Sequence, residues 1–417
     1  MAIQSAETSL TFDENIGLIA RFFRGAKWYG AEWYITVSGA VILILIFLMT
    51  ILAPHLAPYD PVKSVGSPFT PPGKGRQVLI VRSDEETIQQ PADLAGTLVG
   101  VRANTTGQFC ALELNAKVKK FYKIEECFEA LAAGQVDALL VEENVAPALM
   151  SAYGDRLKQI GAPFGPTFVL GTDNLGRDIL SRIIFGARAV LLVAILSAGF
   201  SALVGVPTGL LSGFIGGTID RVLSLIMDSI YSFPGLILAI AMAAVLQLQM
   251  QQVLKNVTGA VGLRLSGDQT AVITGTMTTT VAIAVVYMPT FFRMVRGQVL
   301  AIKQQLYIEA ARSLGARPLT ILFQYIFPNV IASIVVIFSV NIADAILTEA
   351  GLSFIGLGLP PPTPDWGYDI SKGRQFLAAG QWWMVTFPGL MIILVAMGFS
   401  MFGEGLSEIL NPRLAEV

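Results

Sequence analysis

Six stretches of this sequence are long and apolar enough to cross a membrane as helices. Each holds about 20 predominantly apolar residues, which is the length that a helix needs to span the bilayer core. They lie near residues 33–52, 186–212, 225–247, 271–292, 327–348 and 383–402. Because a bilayer offers no water to satisfy backbone groups, these spans are expected to be helical. The sequence therefore predicts an all-α membrane protein with six spans.

Positive residues near the ends of the spans predict its orientation, because Lys and Arg in short loops are retained on the cytoplasmic side. With the N-terminus inside, the short outer loops carry only Lys255, Arg264, Lys372 and Arg374. The cytoplasmic segments then carry ten positive residues: Arg21, Arg24, Lys27, Arg221, Arg293, Arg296, Lys303, Arg312, Arg317 and Arg413. We therefore expect both termini in the cytoplasm. Residues 1–32 form a polar N-terminal segment, and residues 33–60 hold an uncleaved first span and its exit.

The composition excludes several functional classes. Only 14% of the 417 residues are charged, against roughly 25% in soluble domains. The net charge of −2, without a block of like charge, gives no reason to expect a nucleic-acid partner. The single histidine, His55, and the two cysteines cannot build a His-based metal cluster or a four-cysteine zinc site.

Residues 76–162, between spans one and two, differ from the rest. They carry 21 charged side chains in 87 residues, close to the soluble norm, and they are expected on the extracytoplasmic side. Strand-like runs near 77–81, 97–101, 120–124 and 138–141 alternate with helix-like runs, which predicts a small α/β insert with a mainly parallel sheet. Cys110 and Cys127 lie in this insert, where a disulfide is permitted and two buried thiols are the alternative.

One motif lies in the longest internal basic segment, YIEAARSLGA (residues 307–316). Adjacent small residues permit close helix packing, a carboxylate can accept charge-assisted hydrogen bonds, and a glycine permits a sharp turn. Such a helix can seat in a cleft of another protein; an ordinary amphipathic helix beside the membrane is the alternative. The motif resembles the EAA loop of ABC importer permeases, and this resemblance implies ATPase-coupling roles for Glu309, Ala310, Ala311 and Gly315.

A second motif, LGTDNLGRDILSR (residues 170–182), precedes span two. It is similar to the same region of dipeptide, oligopeptide and nickel importer permeases, as are SFP (232–234), VRGQ (295–298) and ILTEA (346–350). The resemblance covers residues 33–60 and 168–413, the latter being a five-span permease core. The residues that carry the family motif before span two are Gly171, Thr172, Asp173, Gly176, Arg177 and Asp178.

The resemblance implies a permease subunit of a type I ABC importer in the plasma (inner) membrane. It further implies a second related permease as heterodimer partner, two cytoplasmic ATPase subunits and an extracytoplasmic substrate-binding protein. Peptides, or another small solute such as nickel, are the expected substrates, and no cofactor is expected. ATP hydrolysis is expected in the partner subunits, since this sequence contains no G-x-x-x-x-G-K-[ST] phosphate loop. A ligand-gated channel or membrane sensor with the insert as receptor is the alternative.

Within the insert, DLAGTLVGVRANTTG (93–107) and EALAAGQVDA (129–138) look like parts of one lobe of an amino-acid-type periplasmic binding protein. In that family the Thr-Thr-Gly step opens a helix whose amide end can meet a ligand carboxylate. This resemblance implies possible ligand contacts at Asn104, Thr105 and Thr106. Such binding proteins close two lobes on a ligand, whereas the insert is long enough for only one lobe. We therefore expect the insert to be a docking or vestigial lobe rather than a working receptor.

Polar residues inside the predicted spans are the remaining candidate functional residues. An ionisable residue in a span is costly and should face the bundle interior or a wet cavity, so Asp344, with Asn341 one turn earlier, has either a pathway-lining or a structural role. Span four carries five threonines, which either bond to their own backbone or line a pathway. They are Thr274, Thr276, Thr278, Thr279 and Thr280. Gly205, Gly209 and Gly213 recur every fourth residue in span two and predict close helix packing.

Overall fold

The computed structural model describes residues 31–262 and 264–409. Arg21, Arg24, Lys27 and Arg413, which contributed to the predicted orientation, lie outside these residues. The helices are α1 (Ala31–Ile51), α2 (Ala53–Leu56), α3 (Thr106–Glu113), α4 (Ile124–Ala132), α5 (Ala146–Met150), α6 (Ile179–Ile215), α7 (Gly217–Tyr231), α8 (Gly235–Val261), α9 (Gly267–Ile302), α10 (Leu306–Ser313), α11 (Pro318–Thr320), α12 (Phe327–Ile355), α13 (Trp366–Gly373) and α14 (Trp383–Ile409). The strands are β1 (Gln77–Arg82), β2 (Leu98–Arg102), β3 (Lys117–Phe121), β4 (Ala138–Glu142) and β5 (Leu157–Phe164).

Within the described residues, six helices are long and apolar enough to cross a membrane, which confirms the predicted number of spans. They are α1, α6, α8, α9, the continuous run from α11 to α12, and α14. The run from α11 to α12 contains a π-helical segment, Ile321–Ile326, just before Pro328. Because Pro328 has no N–H for the regular helical hydrogen bond, a wider turn ahead of it keeps the span continuous.

The third span begins ten residues later than predicted, at Gly235 rather than near residue 225. The preceding residues form α7, a separate 15-residue helix that carries Asp220, Arg221 and Asp228. Pro234 occupies the N-cap of α8 and marks the boundary, since a proline cannot continue the hydrogen-bond ladder of a preceding helix. The apolar window thus ran across the end of an interfacial helix into the start of a span.

The packing of α6 against α9 confirms the predicted close approach at the glycines. A Cβ atom at Gly205 or Gly209 would lie 2.7 Å from a backbone carbonyl oxygen of α9, and one at Gly213 would lie 2.8 Å from Val299 Cβ. Since real Cβ atoms do not come so close, only glycine fits at these crossings. The larger cluster of buried apolar side chains joins α1, α6, α8, α9, α12 and α14 into one bundle.

The insert lies between α1 and α6, so the bundle has an insert end and an opposite end. Its five strands have the order β3-β2-β4-β1-β5. β2 pairs in parallel with β3 and β4, whereas β1 pairs antiparallel with both β4 and β5. The expectation of a mainly parallel sheet is therefore wrong, and the sheet is mixed. β5 was missed because its sequence, LKQIGAPF, does not alternate polar and apolar residues and ends in the Pro163–Pro166 stretch, which resembles a linker.

Two apolar clusters cover the two faces of this sheet. Cys127 belongs to the cluster with Phe128 and Leu131, and Cys110 belongs to the other, with Leu94 and Ala111. Both thiols are free and buried. Of the two predicted alternatives, the structure has the pair of buried thiols, because the sheet separates the two cysteines.

Candidate functional site

The motif before span two forms a turn closed by one aspartate. The Asp173 carboxylate accepts hydrogen bonds from the backbone N–H groups of Leu175 and Arg177 at 2.8 and 2.9 Å. The Arg177 side chain completes the turn with a 2.6 Å ion pair to Asp173. Gly176 has φ of +72°, a backbone conformation that favours glycine. The predicted motif residues are thus brought together in space.

Asp178 ends this turn and begins α6. Its carboxylate accepts hydrogen bonds from the Ser181 N–H at 2.8 Å and the Ser181 hydroxyl at 2.6 Å, so it caps the helix. Burial raises the pKa of the Asp178 carboxyl above its usual range, and the hydrogen bonds from Ser181 oppose that shift. The motif therefore fixes the N-terminal end of span two.

Residues 64–70, which we call the linker loop, lie directly on this motif. The backbone N–H groups of Val65 and Gly66 donate to the Gly176 carbonyl at 2.9 and 3.1 Å. A Cβ atom at Gly176 would come within 2.1 Å of the Gly66 carbonyl oxygen, so the contact requires glycine. Thr172 joins the loop from the other side, because its hydroxyl donates to the Ser67 carbonyl at 2.6 Å and accepts from the Thr70 N–H at 2.8 Å.

The same loop meets the insert at the N-terminal end of α3. The Thr106 N–H donates to Ser67 Oγ at 2.8 Å, and the Ser67 N–H donates to Thr106 Oγ1 at 2.9 Å. The Ser67 hydroxyl donates to Glu142 Oε1 at 2.8 Å. The other two predicted contact residues bond within the insert: the Asn104 N–H donates to the Gln108 side chain, and the Thr105 hydroxyl donates to the Arg102 carbonyl.

A buried ion pair, which sequence reasoning missed, joins α6 to α13. Arg182 is 1% exposed and contacts both carboxylate oxygens of Asp369, at distances between 2.6 and 3.1 Å. Its Nη1 donates to the carbonyl of Pro61, ahead of the linker loop. The signal in the sequence was Arg182 itself, an arginine just inside an apolar span. Its partner, 187 residues away, could not be identified from one sequence.

At the opposite end, α10 holds the residues predicted to couple to an ATPase. Ile308 is buried in an apolar cluster with residues of α9 and α12, Ala311 is also buried, and Glu309 and Ala310 are exposed. Gly315 ends the helix with φ of +81°. Exposed apolar residues at the two ends of this short helix, together with Glu309 and Gly315, form what we call the coupling patch. The apolar residues are Leu306, Tyr307 and Leu314, with exposed fractions of 82%, 46% and 89%.

Two ion pairs hold α7 against α9 at the same end. Arg296 Nε lies 2.5 Å from Asp220 Oδ1, and Arg293 Nη2 lies 2.7 Å from Asp228 Oδ1. Hydrogen bonding from Arg296, assisted by Ser212, lowers the pKa of Asp220 to about 2. The carboxylate therefore stays charged at any physiological pH, and the contact between α7 and α9 is insensitive to pH in that range.

Asn341 and Asp344, one turn apart on α12, differ in burial. Asn341 is buried and donates to the Ile337 carbonyl at 2.9 Å, whereas the Asp344 side chain is exposed on the surface of the single chain. In span four, Thr276 and Thr279 bond to their own backbone. Thr274, Thr278 and Thr280 are buried and have no hydrogen-bond partner for their hydroxyls within the described part of the chain.

An open cavity of about 500 Å³ lies at the insert end of the bundle. It is lined by Gln247 and Gln251 of α8, Thr270 and Thr274 of α9, and Tyr368 of α13. Its volume falls within the usual range of small-molecule sites, roughly 300–1,000 Å³.

Comparison with known proteins links the sequence to a family of transport proteins. Residues 205–416 match the family described as "Binding-protein-dependent transport system inner membrane component". Residues 35–72 match the "N-terminal TM domain of oligopeptide transport permease C". The family match covers half of the chain, including four whole spans and the end of α6.

Individual relatives are similar over about three-fifths of the chain. The chain is 39% identical over 262 residues to the glutathione transport system permease protein GsiD of Pectobacterium atrosepticum, covering 62% of this chain and 76% of the relative. It is 36% identical over 244 residues to the dipeptide transport system permease protein DppC of Alkalihalophilus pseudofirmus, covering 58% of this chain and 71% of the relative.

Among solved structures, the chain is similar to the substrate-binding protein of an amino acid ABC transporter. The sequence identity is 32%, and the TM-score is 0.20. The match covers 21% of this chain and spans 38% of that binding protein. Domain 2 of TmArgBP is 30% identical with a TM-score of 0.20, and the match covers 21% of this chain and 96% of that domain.

Proposed function

The chain belongs to the family of binding-protein-dependent transport system inner membrane components, and on that premise we propose that it forms half of the membrane pathway of an ATP-driven peptide importer. As a member of this family it is a multi-pass permease of the inner membrane. The names of its relatives, which transport dipeptides and glutathione, support short peptides as the substrate class. We favour peptides over nickel and other small solutes as the substrate, because both of these relatives are named as permeases for peptides.

The observation that carries the mechanism is the surface of α10. Leu306 and Leu314 are more than four-fifths exposed on a polar end of the bundle, outside the spans, and Glu309 lies between them. Exposed apolar residues around a charged group are typical of a docking surface. Two separate ATPase subunits on the cytoplasmic face are its proposed partners, and ATP hydrolysis takes place there.

A movement of α10 is transmitted to the membrane spans through its buried side chains. Ile308 belongs to the cluster that contains Val299 of α9 and Val330 of α12. A displacement of α10 by its ATPase therefore bears on the ends of two spans. The pathway alternates its access as this motion shifts the population between two states.

In this arrangement α10 and both termini face the cytoplasm, and the insert end faces outward. The 500 Å³ cavity then opens toward the side from which a binding protein delivers its substrate. Neutral hydrogen-bonding groups such as Gln247 and Gln251 line it, which suits the backbone amides of a peptide.

A second, related permease is the proposed partner within the membrane. Asp344 lies eleven residues, or about 16 Å of helix, from the insert end of α12, which places it well inside the bilayer. A carboxylate at that depth is costly in lipid and needs a protein or water neighbour. The adjacent α8 is the least buried span, with 11% of its apolar window covered. This face of the bundle thus has the properties of a subunit interface beside a pathway.

The decisive experiment changes one charge on α10. With Glu309→Lys we expect loss of peptide uptake in cells at unchanged abundance in the membrane, because the variant places a cation in the coupling patch. Glu143→Lys, at an exposed glutamate of the insert, is the matched control and should leave uptake intact. Normal uptake with Glu309→Lys contradicts the coupling role, and failure of the native chain to copurify with ATPase subunits contradicts the proposed function itself.

A further inference from the structure

The N-terminal end of α3 in the insert has no cap of its own. Thr105 occupies the N-cap position, but its side chain makes no capping hydrogen bond and instead donates to Arg102. The first N–H groups of a helix require an acceptor, above all when the helix end is buried. Here Thr106 is fully buried, so its N–H depends on a group from elsewhere in the chain.

We propose that the linker loop is a built-in ligand of the insert, and that it occupies the end of α3 in place of any solute while locking the insert to the start of span two. The occupant is a segment of this chain, residues 64–70. The contact is fixed by Ser67, Thr106 and Thr172, and it makes the insert a rigid extension of the permease rather than a mobile receptor.

The hydrogen bonds at Ser67 account for its donors and acceptors. Its N–H donates to Thr106 Oγ1, its hydroxyl donates to Glu142, and its Oγ accepts from the Thr106 N–H. The hydroxyl groups of Ser67 and Thr106 lie 3.1 Å apart, and since the Ser67 proton is used, Thr106 is the donor between them. Ser67 is 5% exposed, so this set of bonds is shielded from water.

The same serine also connects to the membrane bundle. Its carbonyl accepts from the Thr172 hydroxyl, and the Thr172 carbonyl accepts from Trp383 Nε1 of α14 at 3.1 Å. A continuous chain of hydrogen bonds therefore runs from α3 of the insert to the start of the last span. The aromatic ring of Phe168 closes the contact from the side, because a Cβ atom at Gly66 would lie 2.5 Å from it.

The space beside this contact is too small for a solute. The cavity between Gln77, Arg102, Thr105 and Glu142 measures about 20 Å³. A volume of that size holds about one water molecule. With the loop in place, an amino acid has neither the helix end nor the room that it needs.

Ser67→Ala tests the contact directly, because it removes the cap while leaving the linker length unchanged. In the full-length protein in lipid nanodiscs, we expect hydrogen exchange of a peptide spanning residues 105–109 to accelerate about fivefold or more, as for loss of a helix cap. Ser151→Ala, at an exposed serine that bonds to the Ala148 carbonyl within the insert, is the matched control and should leave that exchange unchanged.

Thr172→Val tests the docking from the permease side and leaves every group of the insert intact. A dye on Tyr122→Cys reports how the insert tumbles, since Tyr122 is 89% exposed and the native cysteines are buried. Both Ser67→Ala and Thr172→Val should add a nanosecond component to the anisotropy decay that the native chain lacks. Unchanged exchange and unchanged anisotropy in both variants overturn the proposal.

Solute binding provides an independent test. The twenty common amino acids, added singly at millimolar concentration, should leave the exchange of residues 105–109 in the native chain unchanged. Saturable protection by any of them means that the end of α3 is open to solutes, and the proposal is then wrong. This result leaves the importer function untouched, because that function depends on the opposite end of the bundle.

Discussion

At the scale of single residues, two glycines are required for different reasons, one for its backbone conformation alone and the other also for its lack of a side chain. Gly176 needs both a positive φ and the absence of a Cβ atom, because the linker loop lies against it. Gly315 needs only the positive φ, since a Cβ atom there meets nothing within 4 Å in the single chain. The space around Gly315 is therefore open in the single chain, and its proposed contact with a partner stays a prediction.

Gly315→Leu should reduce peptide uptake at least tenfold, because it adds a bulky group to the coupling patch. Gly380→Leu is a matched control: Gly380 has φ of +88° and open space around it, but it lies at the insert end. Both variants carry a similar backbone strain of about 1–2 kcal/mol, so strain alone cannot separate them. Equal uptake by the two variants contradicts a partner contact at Gly315.

The two buried thiols of the insert should make its stability fall as the pH rises in the alkaline range. Burial raises the pKa of both Cys110 and Cys127 to about 12, whereas unfolded thiols ionise near pH 8.5. The unfolded insert therefore loses protons that the folded insert keeps, and the free energy of unfolding should fall as the pH rises from about 9 toward 12. Urea unfolding at pH 7.5 and at about pH 10 measures this; Cys127→Ala should reduce the dependence, and equal free energies of unfolding at the two pH values contradict it.

At the scale of elements, periodic and compositional signals predicted what local sequence determines. The glycine repeat of α6 predicted its contact with α9, and the apolar windows predicted six spans. The start of α8 was misplaced because α7 has an apolar face of its own, and hydropathy does not distinguish a helix lying in the interface from one that crosses it. The antiparallel pairing of β1 with β4 and β5 was missed because it joins segments that are distant in the sequence, and because β5 does not alternate polar and apolar residues and contains Pro163.

Packing between α6 and α9 predicts unequal effects for two glycines of one helix. Gly209→Ala should lower the melting temperature in detergent, at a cost of about 1–3 kcal/mol, because its Cβ would lie 2.7 Å from the Phe292 carbonyl oxygen. Gly199→Ala should leave the melting temperature unchanged or raise it, since nothing lies within 4 Å of its Cβ position. A larger loss at Gly199 than at Gly209 is incompatible with this packing.

At the scale of the whole molecule, the sites are assembled by contacts between distant segments. The motif of residues 171–178 could be found from the sequence. The linker loop that contacts it, about 100 residues earlier, could not. Ser67 stands in a proline-rich stretch that resembles an ordinary linker, and Asp369 stands in a short polar helix. Their partners follow from the folded arrangement alone, since one sequence carries no record of which distant residues meet.

The exposed Asp344 predicts that the isolated chain is an incomplete membrane protein. Asp344→Asn should weaken copurification with the second permease and reduce uptake severalfold, because the variant removes the charge that the interface or pathway accommodates. Asp268→Asn, at an exposed aspartate in the first turn of α9, should change neither. Intact assembly and intact uptake with Asp344→Asn remove this residue from the functional set.

The contacts of the linker loop can form only late in synthesis, because its partners follow it by many residues in the chain. Ser67 leaves the ribosome 39 residues before Thr106 and 105 residues before Thr172. At a translation rate of about 5–20 residues per second, the second interval lasts roughly 5–20 s. During that time the first helix already resides in the bilayer, while the groups that will hold the chain beyond it have not been synthesised. Nascent chains of this protein must therefore carry the insert without its contacts to the start of span two for several seconds.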